Sequence, residues 1–384
     1  MAQVTNRPLE GVRVLDLSRA LSGPLSGRIL SDLGADVVKI ERPGSDISQA
    51  FGKIVEGRSG LYAQLNCGKR SVGLDFRDPA DAALLDLVRA CDILIENFRP
   101  GVADRLGCGW QRLSAVNPRL IMLSISGFGQ SGPQAGRQAY APIIHAESGL
   151  VSRQASLTGH APADIAFALA DSLAGLHGTI AVLAALRLRD STGTGQHIDM
   201  SMLDALLATD DYTHYSLDRH PVRPAIGETW PAPGGPILIS SDRRHIWRQL
   251  AARFGLADPD PDAPADRKIA ERARLIAAWI AGHGSRDRLK RRLEEADIAW
   301  AEIRQAEDVL SEGGAAGRNL VIAVPDTGVP DPDGEARRVI RMPYEFSDAV
   351  SGPRRGIPRV GEDSAAEILG EWAGPDSGCG LRSG

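Results

Sequence analysis

"VRVLDLSRALSGPLSGRILSDLGADVVKIERPG" (residues 12–44) carries the reading that decides the fold. "VRVLDLS" (12–18) is a short apolar run, long enough for a buried strand. "GPLSGRILSDLGA" (23–35) has the helical period: Leu25, Ile29, Leu30 and Leu33 share a face, and Gly34 suits the helix end. "DVVKIERPG" (36–44) is the next strand, closed by Pro-Gly. Strand, helix and strand within such a span form a βαβ unit, whose strands pair in parallel.

The rhythm continues outward. "RSVGLDF" is a strand, "DPADAALLDLVRAC" opens a helix with an Asp-Pro start, and "DILIENF" (92–98) is a strand. "LIMLSISGFGQSGP" (120–133) is a strand running into a glycine-rich loop. Repeated βαβ units predict an α/β fold: a mainly parallel sheet covered by helices, with ligands beyond the carboxyl ends of the strands. The polar residues at those ends are Ser18 and Arg19, Glu41 and Arg42, Glu96 and Asn97, Ser126 and Gly127. After Asp171, the recurrence of Leu173, Leu176, Ile180, Leu183 and Leu186 predicts a long helix with that face buried. From about residue 221 the texture turns Pro- and Gly-rich and then amphipathic. The expected organisation is a large domain (1–200), a smaller domain (221–317), a strand-like, turn-rich segment (318–375) and a disordered tail (376–384).

The 384 residues carry a net charge of −5, against a general nucleic-acid or membrane-surface binder. Cys67, Cys91, Cys108 and Cys379 share no CxxC spacing, and the eight histidines form no HExxH pair, so no metal site is expected. The first residues lack the pattern of a signal peptide, and no continuous apolar run reaches the roughly 18 residues of a membrane span. A cytoplasmic protein is the expectation. GxGxxG and Walker A fingerprints are both absent from the first strand-helix turn.

Two features bear on chemistry. Arg42, Lys69, Arg70 and Arg105 lie at strand or helix ends, either as solvated charges or as a phosphate site, since guanidinium forks match phosphate. Asp171, in "FALADSLAGLHGT" (167–179), is a helix N-cap by residue type. It is also a candidate nucleophile, held ionised by free amides, with small neighbours leaving room for an acyl group. His177, six positions on, is off its face and is expected to be structural.

The segments "PLEGVRVLDLSRALSGPLSGRILSDLGADVVKIERPG", "LNCGKRSVGLDFRDP", "CDILIENFRPGVADRLG", "NPRLIMLSISGFGQSGP", "ALADSLAGLHGTIAVLAAL" and "TGTGQHIDMSMLDALL" closely resemble family III CoA-transferases, a group related to the α-methylacyl-CoA racemases. They cover about residues 8 to 208, with a weaker echo in "GIPRVGEDSAAEIL". The resemblance implies a Rossmann-like large domain that residues 318–375 rejoin, a smaller α+β domain (221–317), two subunits interlocked as a homodimer, and acyl-CoA and a small carboxylic acid as partners. It implies coenzyme A as substrate and product, with no permanently bound cofactor. It makes Asp171 the nucleophile that forms an acyl-aspartyl anhydride and then an aspartyl-CoA thioester. It assigns Leu21, Ser22, Arg42, Asn66, Lys69, Glu96, Asn97, Phe98, Arg105 and Tyr140 to the binding site. Tyr140-Ala141 stands where the racemases carry histidine and aspartate, which favours transfer over racemisation. A racemase or a non-catalytic acyl-CoA-binding paralogue are the alternatives. Gln138 and Ala141 depart from common residues of the transferases, so the acid itself is left open.

Overall fold

In the computed structural model, residues 6–54, 58–75, 82–222, 227–311, 317–324 and 337–373 are described. The expected tail and the Asp78-Pro79 helix start lie outside them. The chain divides into two compact units, residues 1–217 with 318–384, and residues 218–317.

The large unit is built on a six-stranded sheet. Its strands are β1 (Arg13–Asp16), β2 (Asp36–Glu41), β3 (Arg70–Gly73), β4 (Ile93–Glu96), β5 (Ile121–Ser126) and β6 (Gln196–Ser201). They run in the order β3-β2-β1-β4-β5-β6, all parallel. This is the doubly wound order, and it reverses direction between β1 and β4, where a crevice opens at the carboxyl ends. The strands are nearly continuous apolar runs because helices cover both faces. One face carries Val14, Val37, Ile93, Ile95, Ile121 and Leu123, the other Leu15, Val38, Leu94 and Met122, all buried.

The helices are α1 (Ser22–Asp32), α2 (Gly60–Asn66), α3 (Ala82–Ala90), α4 (Val102–Arg105), α5 (Trp110–Val116), α6 (Ala141–Glu147), α7 (Leu150–Thr158), α8 (Leu169–Thr192), α9 (Met202–Thr209) and α10 (Thr213–Leu217). α8 is the spine of one layer, packed on α1, α9, β5 and β6. Its most apolar window has a mean hydropathy of 1.5, long and apolar enough to cross a bilayer.

The buried face of α8 differs from the one its leucines predict. Ala170, Ala174, Gly175, Gly178 and Thr179 are buried, whereas Leu176 and Ile180 are 41% and 61% exposed. Close approach to α1 is the reason. A Cβ on Gly175 would stand 2.7 Å from the Ser22 carbonyl oxygen, and the Ser26 hydroxyl donates to the Gly175 carbonyl at 2.8 Å. The small residues after Asp171 therefore seat α1, and do not leave space for an acyl group.

The smaller unit has an antiparallel sheet of β7 (Gly227–Trp230), β8 (Ile237–Ser240) and β9 (Trp300–Glu302). α11 (Arg243–Phe254), α12 (Ala265–Ala281), α13 (Arg286–Glu295) and α14 (Ala306–Ser311) complete it. Trp230, Ile239, Trp247, Ile276, Leu289 and Leu293 fill its core. Gly234 and Gly235, both at positive φ, form the β7–β8 turn.

After residue 317 the chain rejoins the large unit. The hairpin of β10 (Val321–Ala323) and β11 (Arg338–Ile340) covers α2 through Tyr62, Ala63 and Val339. The last helix, α15 (Ala365–Ala373), buries Ile368 and Trp372 against the α3 side of the sheet.

Candidate active site

Three loops meet at the β1–β4 crevice. The first follows β1, from Leu17 to Leu21. Asn97, just after β4, holds it: the Arg19 N–H donates to Asn97 Oδ1 at 2.9 Å, and Asn97 Nδ2 donates to the Arg19 carbonyl at 2.7 Å and to Ser22 Oγ at 3.2 Å. Ala20 adopts φ of 67°, a region that costs a non-glycine residue about 1–3 kcal/mol. Its N–H donates to Asp46 Oδ1 at 3.0 Å, a contact that pins the strained turn.

Beneath the loop lie two buried ion pairs, Lys69 with Asp16 at 2.7 Å and Lys39 with Asp46 at 3.0 Å. Lys39 also donates to the Ser18 carbonyl at 2.8 Å. Lys69 donates further to the Pro24 carbonyl and to Asn66 Oδ1, at 2.9 and 2.8 Å. Burial pulls the Lys69 ammonium down to about 8. Burial acts against the Asp16 charge too, but Lys69 and Lys39 outweigh it and hold the carboxyl below its ordinary range. Removing one partner of such a pair strands a buried charge, so the network fixes the loop.

Asp171 faces this loop from α8. The structure corrects its reading as an N-cap: the cap position is Ala168, and Asp171 is the third residue of the helix. His145 explains the earlier start. Its Nε2 accepts the Ala170 N–H at 3.2 Å, in place of a side-chain cap, while Nδ1 meets Asp164 at 2.7 Å. With Nε2 accepting, the ring proton sits on Nδ1 and both nitrogens are engaged, so this fully buried histidine is no proton carrier for a ligand.

The Asp171 carboxylate accepts the Ser22 hydroxyl, the Ser22 N–H and the Ala141 N–H. Ser22 opens α1 and Ala141 opens α6, so unsatisfied first-turn amides and their dipole ends surround the carboxylate. Burial raises its pKa, and the three donors work against that rise. The result is a partly desolvated carboxylate, an oxygen nucleophile suited to attack on a carbonyl carbon.

The cavity at Asp171 is lined by Arg19, Ala20, Ser22, Asn97, Phe98, Arg99, Ser126, Arg137, Gln138 and Tyr140, among others. A second cavity, lined by Leu17, Arg19, Ile40, Arg42, Ser45, Phe98, Val102 and Leu106, shares Arg19 and Phe98 with the first. The two cavities adjoin at Arg19 and Phe98, one at the ends of β1 and β2 and the other at Asp171.

The structure brings Ser22, Asn97, Phe98 and Tyr140 to Asp171, with Tyr140 58% exposed. Arg42 lines the second cavity, 3.7 Å from Asp75. Arg105 is exposed on α4, the helix whose Val102 and Leu106 line that cavity. Leu21 is the α1 cap residue. Like Leu21 and Arg105, the assigned residues Asn66, Lys69 and Glu96 line neither cavity, and these three are buried. The side chains of Asn66 and Lys69 are 0% and 1% exposed and are saturated inside the protein. Glu96 is 2% exposed; it accepts the Phe98 N–H at 2.7 Å and the Ser124 hydroxyl, and burial pushes it up to about 7. All three support the loops from below. His177 bonds Thr209 at 2.7 Å. Sequence reasoning passed over Arg99 and Arg137; Arg99 stands in the quoted "NFRPG", where its strand-end position was the available signal. Among the described residues no group of His, Cys, Asp and Glu is placed to hold a metal.

Residues 9–364 match the model of CoA-transferase family III. The acetyl-CoA:oxalate CoA-transferase of Acetobacter aceti is 32% identical, covering 96% of this chain and 97% of that protein. The succinate–glutarate CoA-transferase of Agrobacterium fabrum is 32% identical over 97% and 98%. The crystal structure of a CAIB/BAIF family protein from Brucella suis superposes with a TM-score of 0.79, at 32% identity, over 96% of this chain and all of that one (100%). The chain is a CoA-transferase and belongs to family III.

Proposed function

We propose that the protein moves CoA from an acyl-CoA to a second carboxylic acid through covalent intermediates on Asp171. The observation that carries this reading is the Asp171 carboxylate, set among the Ser22 and Ala141 donors in a cavity that adjoins the arginine-lined one at the end of β2. The carboxylate attacks the thioester carbonyl; the C–S bond breaks, an acyl-aspartyl anhydride forms and CoA thiolate leaves. The thiolate then attacks the aspartyl carbonyl of the anhydride, releasing the donor acid and leaving an aspartyl-CoA thioester. The acceptor carboxylate repeats these steps in reverse and regenerates Asp171. Each intermediate keeps the activation of the thioester, so no nucleotide is consumed. The Ser22 and Ala141 N–H groups aim at the Asp171 oxygens, where negative charge develops when the aspartyl carbonyl is attacked.

The racemase alternative needs an acid and a base on opposite faces of the α-carbon. With His145 engaged at both nitrogens, the lining supports transfer instead. Asp171→Ala is expected to abolish label exchange between acyl-CoA and free acid while CoA still binds. Hydroxylamine or borohydride added during turnover should modify Asp171. Persistent exchange in Asp171→Ala overturns the mechanism.

A homodimer belongs to the same proposal. Ile143, Phe167, Leu176 and Ile180 are 43%, 57%, 41% and 61% exposed, apolar surface of the kind that association covers. Sedimentation at micromolar concentration should give a dimer; a monomer refutes it.

A further inference from the structure

Three arginines line the Asp171 cavity, and they are not equivalent. Arg137 is neutralised by Glu147 at 2.6 Å and lies over the Phe128 ring at 4.8 Å. Arg19 borders both cavities, so it stands where a ligand spanning the two must pass. Arg99 lines the Asp171 cavity and not the second one. It is exposed, and its guanidinium has no hydrogen bond or ion pair among the described residues. Its backbone is held in place: Glu96 anchors the preceding Phe98 N–H at 2.7 Å, and Pro100 follows.

An unpaired guanidinium on a residue that lines the Asp171 cavity can select an anion. In the transfer reading, the CoA arm that reaches Asp171 is an uncharged chain of amides. An acyl group made from a monocarboxylic acid has no charge left, because its carboxylate has become the thioester. Only an acid with a second carboxylate brings an anion that survives every step. That anion also needs a cation near it, since Asp171 is itself negative when it attacks.

We propose that the substrate acid is a dicarboxylic acid and that Arg99 binds its distal carboxylate. The proposal rests on the transfer reading, with Arg99 as a specificity-determining residue apart from the covalent chemistry.

Succinate and butyrate, of equal chain length, separate the possibilities, each offered with acetyl-CoA as donor. Wild-type kcat/KM should favour succinate strongly. Arg99→Ala should lower kcat/KM for succinate about tenfold to a hundredfold, with a much smaller effect on any residual butyrate transfer. Arg99→Lys should recover part of the loss. Equal losses for both acids overturn the proposal, because Arg99 then serves the reacting carboxylate or the fold. A raised KM for acetyl-CoA with unchanged succinate dependence also overturns it, because the partner is then a CoA phosphate. A wild-type enzyme that uses butyrate as well as succinate refutes it without any variant. Absence of exchange with every acid, with succinyl-CoA as donor as well as acetyl-CoA, refutes the transfer reading instead.

Discussion

Ser22→Ala tests how Asp171 is tuned. The substitution removes a hydroxyl that donates to the Asp171 carboxylate and accepts from Asn97 at 3.2 Å; the Ser22 and Ala141 N–H donors remain. A hydrogen bond to a charged group contributes about 1.5–3 kcal/mol. Its loss penalises the ionised form of Asp171, and one pKa unit corresponds to about 1.4 kcal/mol, so the pKa should rise by about one to two units. Burial already raises it, so the two effects point the same way. The acid limb of the pH profile of kcat/KM should therefore move to higher pH by that amount. On the pH plateau the loss should be about tenfold or more, because the carboxylate is less well oriented. Steady-state transfer from pH 4 to 9, on protein whose thermal unfolding matches wild type, reads both quantities. An acid limb at the wild-type position, with plateau activity within a factor of two, would refute the reasoning.

Glu96 gives a further prediction, alongside those for Asp171→Ala, the dimer and Arg99. Its folded carboxyl holds a proton up to about 7, where an ordinary glutamate releases it near 4.5. The stability contributed by this raised pKa is complete below the ordinary value and is lost as pH rises through about 7. Glu96→Gln, which has no proton to release, should remove that slope. Urea unfolding at pH 5 and pH 8 should show wild type losing stability relative to the variant at the higher pH; a difference independent of pH sinks the idea.

Much of the fold was legible in the chain. Strands 13–16, 36–41, 93–96 and 121–126 are short apolar runs separated by a helical period, a local pattern that needs no partner to be seen. Element ends were less so: α1 begins at Ser22, just before the stretch 23–35 read as helical, and stops at Asp32, short of Leu33 and Gly34. Helix ends depend on which neighbour meets the free amides. At Asp171 the local residue types pointed to a cap, yet His145, 25 positions away along the chain, takes the Ala170 N–H and lets the helix begin earlier.

The sequence by itself determined the α/β class with a mainly parallel sheet, the family resemblance and the candidate carboxylate, Asp171. These follow from local period and from long motifs in one order. Only the tertiary structure decided what surrounds that carboxylate. It showed Lys69 and Asn66 as props under a loop, Glu96 as an anchor for Phe98, and the small face of α8 as a seat for α1. It also left Arg99 unpaired in the Asp171 cavity. Burial and pairing arise from contacts between distant segments, and those are what separate a buried lysine from an arginine open to a ligand when both read as charge in the chain.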